Sequence, residues 1–199
     1  MIRSDKGDAR LKACGVLNNL SVSAENGLLL TSSELGLLST LVSILKSDQD
    51  VARASALNVL YNLSCSASNR QALMESGLVP VVSELMQSAG ALDIRVKLTT
   101  VILHLSLNNE LKTALVTESG SLLPALVLII AADKGEARVK ATAVVWSLTG
   151  CPPQHRNVLK ETPLGLVESL LALLSDTDAA EARVNACGAL NNLSIAFEE

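Results

Sequence analysis

The sequence predicts an all-α protein built from a repeated helical unit, and two observations lead to that fold class. Apolar residues make up 49% of the 199 residues but aromatic residues only 2%. The core must therefore be aliphatic, which suits close-packed helices better than β-sheets. The second observation is a motif of 12 residues that recurs along the chain at a nearly constant spacing. We expect a single repeat domain over residues 1–199.

The motif has the form Arg-x-x-Ala-x-x-x-Leu-x-Asn-Leu-Ser and occurs five times. Successive arginines lie 43, 42, 43 and 45 residues apart, so the nearly identical phrases ACGVLNNLS and ACGALNNLS belong to the first and last copies. The five copies are RLKACGVLNNLS at 10–21, RASALNVLYNLS at 53–64, RVKLTTVILHLS at 95–106, RVKATAVVWSLT at 138–149 and RVNACGALNNLS at 183–194. Each copy is predicted to form the third and longest helix of one unit.

Two shorter helices are predicted between successive copies of the motif. The clearest segments are 69–86 and 109–130, where a first helix ends at an Glu-Ser-Gly element and a second helix has Pro80 or Pro124 in its first turn. An acidic residue stands near the start of each third helix, where it is expected to cap free N–H groups and to complement the positive end of the helix dipole. These residues are Asp8, Asp50, Asp93, Glu136 and Glu181. The predicted units are a partial repeat at 1–23 and repeats at about 24–66, 67–107, 108–150 and 151–199.

This organisation resembles the armadillo repeat over essentially the whole chain. The resemblance rests on three features: three helices in about 42 residues, a glycine between the first two helices, and Asn-Leu-Ser near the end of the third. In two copies His104 and Ser147 replace the asparagine. The repeats of beta-catenin and of the adenomatous polyposis coli protein carry similar phrases, whereas HEAT repeats have two helices and no Asn-Leu-Ser. The resemblance implies a right-handed α-solenoid whose third helices line a concave groove.

A polar stripe along the third helices is the candidate binding surface. We call the motif's asparagine position the ladder position, and the polar stripe consists of this residue and those four and seven places before it. At about 100° per residue these residues share one helix face, whereas Leu60 and Ala56 point away and are predicted to be buried. The ladder residues, which we expect to be accessible, are Asn19, Asn62, His104, Ser147 and Asn192.

By the resemblance, the polar stripe forms the groove floor and holds the backbone of an extended peptide, since a carboxamide both donates and accepts hydrogen bonds. The alternative is that the stripe is only a solvated helix face. Tyr61 and Trp146, just before the ladder position, either form a groove wall or pack between repeats. The candidate peptide-binding residues are Asn19, Asn58, Asn62, Lys97, His104, Lys140, Ser147 and Asn192.

Two further recurring positions are expected to be structural. The arginine that opens each motif lies on the helix side opposite the polar stripe, so we expect its stem to pack and its head to bond to a neighbouring helix end. Cys14 and Cys187 share a position near the buried face and are expected to be packing residues.

Several classes of function receive no support from the sequence. The net charge of −4 does not favour nucleic-acid binding. The longest apolar run, 122–132, is shorter than the roughly 20 residues that cross a bilayer and is predicted to be a buried helix. The four cysteines form no CxxC pair and lack a histidine at ligand spacing, so we expect no metal and no cofactor. Cys151 and His155 lie close in sequence without an orienting third group, so we do not expect an enzyme.

We therefore expect a non-catalytic protein interaction scaffold, cytoplasmic or nuclear, that binds an extended peptide or partner segment. Lys97, Lys140 and His104 favour an acidic or phosphorylated segment. Lys12, Lys97 and Lys140 would repel a basic ligand and so disfavour an importin-alpha-like receptor for basic peptides, whose tryptophan would stand four residues before the ladder position. A permanent structural subunit of a large assembly is the alternative. Because the first motif copy lacks its two preceding helices, we also expect a longer parent array or self-association.

Overall fold

The structure is a computed structural model that describes residues 8–47, 51–88, 91–117, 120–160, 165–177 and 179–195. Within these ranges the chain forms α-helices and two short 3-10 helices and no strand, which confirms the all-α prediction. In chain order the helices are α1 (Asp8–Ser21), α2 (Ala24–Leu30), α3 (Leu37–Ser47), α4 (Val51–Cys65), α5 (Arg70–Glu75), α6 (Leu78–Ser88), α7 (Leu92–Ser106), α8 (Asn109–Thr117), α9 (Leu122–Ala132), α10 (Glu136–Thr149), α11 (Pro153–Lys160), α12 (Leu166–Leu174) and α13 (Ala180–Ser194).

The chain divides into two compact units, Met1–Val81 and Val82–Glu199. The first unit holds α1 to α5 and the start of α6, and the second holds the rest. Within the first unit α1 packs against α4, and within the second α10 packs against both α7 and α13. The third helices therefore make the main contacts between successive repeats of each unit. The prediction of one domain over 1–199 stays a prediction.

Each described motif copy lies in the third helix of its repeat, as predicted. α1, α7, α10 and α13 end at the last residue of the motif, and α4 continues for one residue. Between the first and second helices the chain turns at glycines in the left-handed region, such as Gly77 at φ 75° and Gly165 at φ 71°. Pro80 and Pro124 lie in the first turns of α6 and α9, where a missing N–H group is harmless.

For the third helices of the second unit, the predicted capping role of the acidic residues is wrong, whereas their predicted position at the positive end of the helix dipole is confirmed. The N-cap residues of α7, α10 and α13 are Ala91, Gly135 and Ala179, and no side chain bonds to the helix start there. The carboxylates lie inside the first turn, where they complement the positive end of the helix dipole. These carboxylates belong to Asp93, Glu136 and Glu181. Asp50, Glu118 and Ser119 lie outside the described residues, as does the side chain of Asp8.

The core is aliphatic, as the composition predicts. Leu60 and Ala56 are fully buried, which confirms the predicted inner face of α4. The apolar run at 122–132 forms α9, most of whose side chains are buried. Leu190 is only half-buried, because its helix is covered by α10 and α12 but exposes its far side. No single helix of the described ranges is long and apolar enough to cross a membrane; α8 and α9 meet that test only as a bent pair, by length and composition.

Candidate functional site

The ladder residues are less accessible than the sequence predicts. Asn19 is exposed, but Asn62, His104, Ser147 and Asn192 are half-buried. The helical wheel correctly directs them away from the core. The helical wheel does not show how closely the preceding third helix approaches the ladder residues.

In the first unit, the Asn62 side chain bonds back to the end of α1. Its Nδ2 atom donates to the Asn18 carbonyl oxygen at 3.3 Å, to Asn18 Oδ1 at 3.2 Å and to Ser21 Oγ at 3.0 Å. The last four carbonyl groups of an α-helix have no partner within the helix, and Asn18 is one of these residues in α1. Asn62 therefore caps the C-terminus of the preceding third helix.

The second unit repeats this arrangement with different side chains. Ser147 Oγ donates to the carbonyl oxygen of Ser106, the last residue of α7, at 2.8 Å. Asn192 Nδ2 donates to Thr149 Oγ1, at the end of α10, at 3.1 Å. The ladder thus joins successive third helices within each unit, a structural role that the sequence argument missed. A binding role for the ladder residues stays a prediction.

The rest of the polar stripe ranges from accessible to buried. Thr100 and Asn185 are buried, and Asn185 Nδ2 donates to the Val139 carbonyl oxygen and to Thr142 Oγ1. Asn58 is half-buried in the first unit, and Lys97 and Lys140 are half-buried in the second. Lys140 lies 4.0 Å from the carboxylate of Glu136, one helical turn earlier. An ion pair of this length between partly exposed side chains is weak, so it does not hold the lysine firmly.

The Trp146 ring lies against the backbone of the next third helix. A Cβ atom at Gly188 would lie 2.5 Å from both Cε2 and Nε1 of the indole, so only glycine permits this approach. The ring nevertheless remains 43% exposed. Trp146 therefore packs between repeats and also exposes part of its side chain to solvent. The sequence left open whether it packs between repeats or forms a groove wall, and its position is compatible with both. Tyr61, at the equivalent position in the first unit, is half-buried.

No family model matches the chain, and no curated protein sequence matches it. Solved structures do match. The chain superposes on computationally designed armadillo repeat proteins for modular peptide recognition with a TM-score of 0.82 at 22% identity, over 96% of this chain and 79% of that chain. A designed armadillo repeat protein in complex with the peptide (KR)4 gives a TM-score of 0.81 at 21% identity, over 97% and 79% of the two chains. The armadillo repeats only protein from Plasmodium falciparum gives 0.76 at 14% identity, over 96% and 83%.

The chain has the armadillo-repeat fold. Identities of 14% to 22% support the fold and nothing finer. The likeness to the repeats of beta-catenin and the adenomatous polyposis coli protein therefore stays a prediction.

The arginines that open the armadillo motifs have the structural role predicted for them in two repeats. Arg95 Nη1 lies 2.5 Å from Asp133 Oδ1, and Arg138 Nη1 lies 2.6 Å from Asp176 Oδ2. Each aspartate follows the second helix of the next repeat. These ion pairs fix the orientation of neighbouring repeats on the side away from the polar stripe.

The cysteines are divided between buried and exposed positions. Cys14 and Cys151 are buried, whereas Cys65 and Cys187 are exposed. The prediction of a packing role is confirmed for Cys14 but wrong for Cys187, because no described helix covers that side of α13. Burial raises the pKa of the Cys151 thiol, and this effect exceeds the opposite effect of the nearby Arg156 charge. The thiol is therefore held in its protonated, poorly nucleophilic form.

Within the described ranges, no group of three or more His, Cys, Asp or Glu side chains could hold a metal ion. His155 is half-buried on α11, where its neighbour Arg156 bonds to the carbonyl oxygens of Cys151 and Asn192. The arginine thus caps the C-terminal end of α13 and joins it to the turn that follows α10. The Arg156 side chain beside Cys151 is therefore hydrogen-bonded to backbone carbonyl groups.

Proposed function

We propose that the protein is a non-catalytic interaction scaffold whose armadillo repeats bind an extended peptide or a disordered partner segment along the polar stripe. One observation carries this proposal: the half-exposed Trp146 ring stands on the Gly188 backbone between two third helices. A rigid aromatic ring that is packed on one side and exposed on the other is suited to anchor a ligand side chain at little entropic cost.

The structural neighbours support the same function. One set was designed for modular peptide recognition, and another was crystallised with the peptide (KR)4. A peptide that lies across successive third helices would meet the same kind of surface here, with backbone contacts from polar side chains and pockets between repeats.

The charges of the second unit favour an acidic or phosphorylated segment. Lys97, His104 and Lys140, three basic side chains, belong to its polar stripe. A basic peptide would be repelled by them, and the position four residues before the ladder holds Thr100, Ala143 and Gly188 rather than tryptophan. The proposed partner is therefore an acidic protein segment in the cytoplasm or the nucleus, rather than a basic targeting peptide.

Fluorescence anisotropy with three labelled peptides tests the proposal. The peptides are an alternating Asp-Glu octapeptide, an extended peptide with two phosphoserines and the basic peptide (KR)4. We expect the protein to bind the two acidic peptides and not the basic one. The double variant K97E/K140E should weaken acidic binding by more than about tenfold, which corresponds to about 1.4 kcal/mol.

The matched control is K46E/K160E, which changes the net charge equally at two exposed lysines outside the polar stripe. It should bind the acidic peptides nearly as the parent does. Equal losses in both double variants would show a nonspecific charge effect, and unchanged binding in K97E/K140E would place the peptide elsewhere. A partner that co-purifies in fixed stoichiometry and resists high salt would instead support the permanent structural subunit.

A further inference from the structure

Two apolar positions, three residues before the ladder position and one residue after it, are buried in four of the five third helices but exposed in α1. Three residues before the ladder, the equivalent positions are 0% exposed in α4, α7, α10 and α13, whereas Val16 of α1 is 59% exposed. The residue after the ladder is at most 5% exposed in the same four helices, whereas Leu20 is 44% exposed. The buried equivalents are Val59, Val101, Val144 and Ala189, and Leu63, Leu105, Leu148 and Leu193.

The exposed side of α1 also holds the polar and small residues that join third helices elsewhere. Asn19 is exposed, although its equivalents Asn62 and Asn192 donate hydrogen bonds to the preceding third helix. No atom lies within 4 Å of a Cβ placed on Gly15, whereas its equivalent Gly188 is covered by the Trp146 ring. This side of α1, formed by Gly15, Val16, Asn19 and Leu20, is hereafter the α1 face.

The exposed side of α13 is chemically the counterpart of the α1 face. It carries Cys187, Asn191 and Ser194, all exposed, hereafter the α13 face. The equivalent residues of α1, the helix against which α4 packs, are the same three types, Cys14, Asn18 and Ser21. There Cys14 and Ser21 are buried, and Asn62 donates to Asn18 and Ser21. The α13 face therefore repeats the surface on which a third helix already packs in this molecule.

We propose that the α1 face of one copy of the chain docks on the α13 face of a second copy, head to tail. Val16 and Leu20 then lie in the contact and become less exposed; their buried equivalents Val59 and Leu63 belong to α4, which packs on both α1 and α3. The Asn19 amide donates to the Asn191 carbonyl group and the Ser194 hydroxyl, as the Asn62 amide does to Asn18 and Ser21. Because each copy carries one α1 face and one α13 face, the contact is heterologous and adds further copies as the concentration rises.

Analytical ultracentrifugation of the full chain under reducing conditions tests this contact. The weight-average mass of the parent should rise with concentration from that of a monomer to beyond that of a dimer. V16E and C187E each place a charge in the proposed interface, where it would be buried without a partner, so each variant alone should remain monomeric. Both substituted residues are exposed in the single chain, and circular dichroism should show unchanged helix content and melting.

Mixing the two variants distinguishes a head-to-tail contact from a symmetric one. The V16E copy keeps its α13 face and the C187E copy keeps its α1 face, so the mixture should form a 1:1 dimer that grows no further. Both substitutions add a negative charge, so the two altered faces cannot attract each other. The control L107E changes an apolar residue that is 57% exposed outside both faces and should associate as the parent does.

Three results would overturn the proposal. The first is a parent protein that stays monomeric from micromolar to near-millimolar concentration, which would leave these faces to another occupant. The second is a variant that still dimerises alone, which would indicate a symmetric contact through its unaltered face. The third is a mixture of V16E and C187E that remains monomeric although the parent associates.

Discussion

Replacing Gly188 by alanine tests the packing of the Trp146 ring, the feature that carries the proposed function. The new Cβ atom would lie 2.5 Å from two ring atoms, so the indole must move. Alanine is favoured over glycine inside a helix by about 1 kcal/mol, whereas overpacking a well-packed site costs about 1–3 kcal/mol. We therefore expect G188A to be between neutral and about 2 kcal/mol less stable than the parent.

Gly15 provides a matched control because it occupies the same repeat position. Nothing lies within 4 Å of a Cβ atom there, so G15A should gain up to about 1 kcal/mol from helix propensity alone. The two variants should thus differ by about 1–3 kcal/mol in urea denaturation at low protein concentration.

The spectroscopic readout is direct, since Trp146 is the only tryptophan of the chain. G188A should shift the emission to longer wavelength and increase quenching by acrylamide, because the ring moves into water, whereas G15A should leave both unchanged. Parent-like emission together with equal stability gains in the two variants would refute the placement of the ring on Gly188.

Three other predictions follow from burial and hydrogen bonding. L60A should lower the free energy of unfolding by about 2–5 kcal/mol, because it empties a fully buried site; an unchanged thermal melt would contradict the assigned core face. N62A should cost about 1 kcal/mol in urea denaturation because it removes the cap on α1, whereas N19A, at an exposed ladder position, should stay within about 0.5 kcal/mol of the parent. Cys151 should react with iodoacetamide far more slowly than Cys65 in the folded protein, and peptide mapping of the labelled sites measures the two rates; equal rates would contradict the burial of Cys151. Because burial raises the pKa of the Cys151 thiol, its contribution to stability is present at low pH and is lost as the pH rises through the folded pKa.

The third helices could be predicted nearly to the residue, because their motif combines an apolar helical period with a recurring end. α1 and α13 end at Ser21 and Ser194, the last residues of their motif copies. Helix starts were harder to predict, because an acidic residue near a start stabilises the first turn as well as the cap position. Asp93 is an example: it lies in the first turn of α7, where it complements the helix dipole, whereas Ala91 holds the cap position.

The faces of the helices could be predicted, but the contacts between helices could not. A helical wheel gives the direction of Asn62, whereas its hydrogen bonds depend on how closely the end of α1 approaches. The same limit explains Cys187, whose direction resembles that of buried Cys14 but which no described helix covers.

One contact had only a weak signal in the sequence. A glycine inside a helix costs about 1 kcal/mol relative to alanine, so Gly188 in the interior of α13 is compatible with a neighbouring group close to the backbone, although Gly15 at the same repeat position has no such neighbour. The large side chain of Trp146, at the adjoining position of the preceding repeat, is the group close to Gly188.

Titration of Trp146 emission with the acidic peptides tests the central claim most directly, because this single tryptophan lies beside the polar stripe of the second unit. We predict a saturable change in emission whose midpoint agrees with the fluorescence anisotropy of the same peptides and which K97E/K140E weakens in both measurements. Acidic peptides that bind by anisotropy but leave the Trp146 emission unchanged, or that fail to bind at all, would contradict the proposal that the third helices form the binding surface.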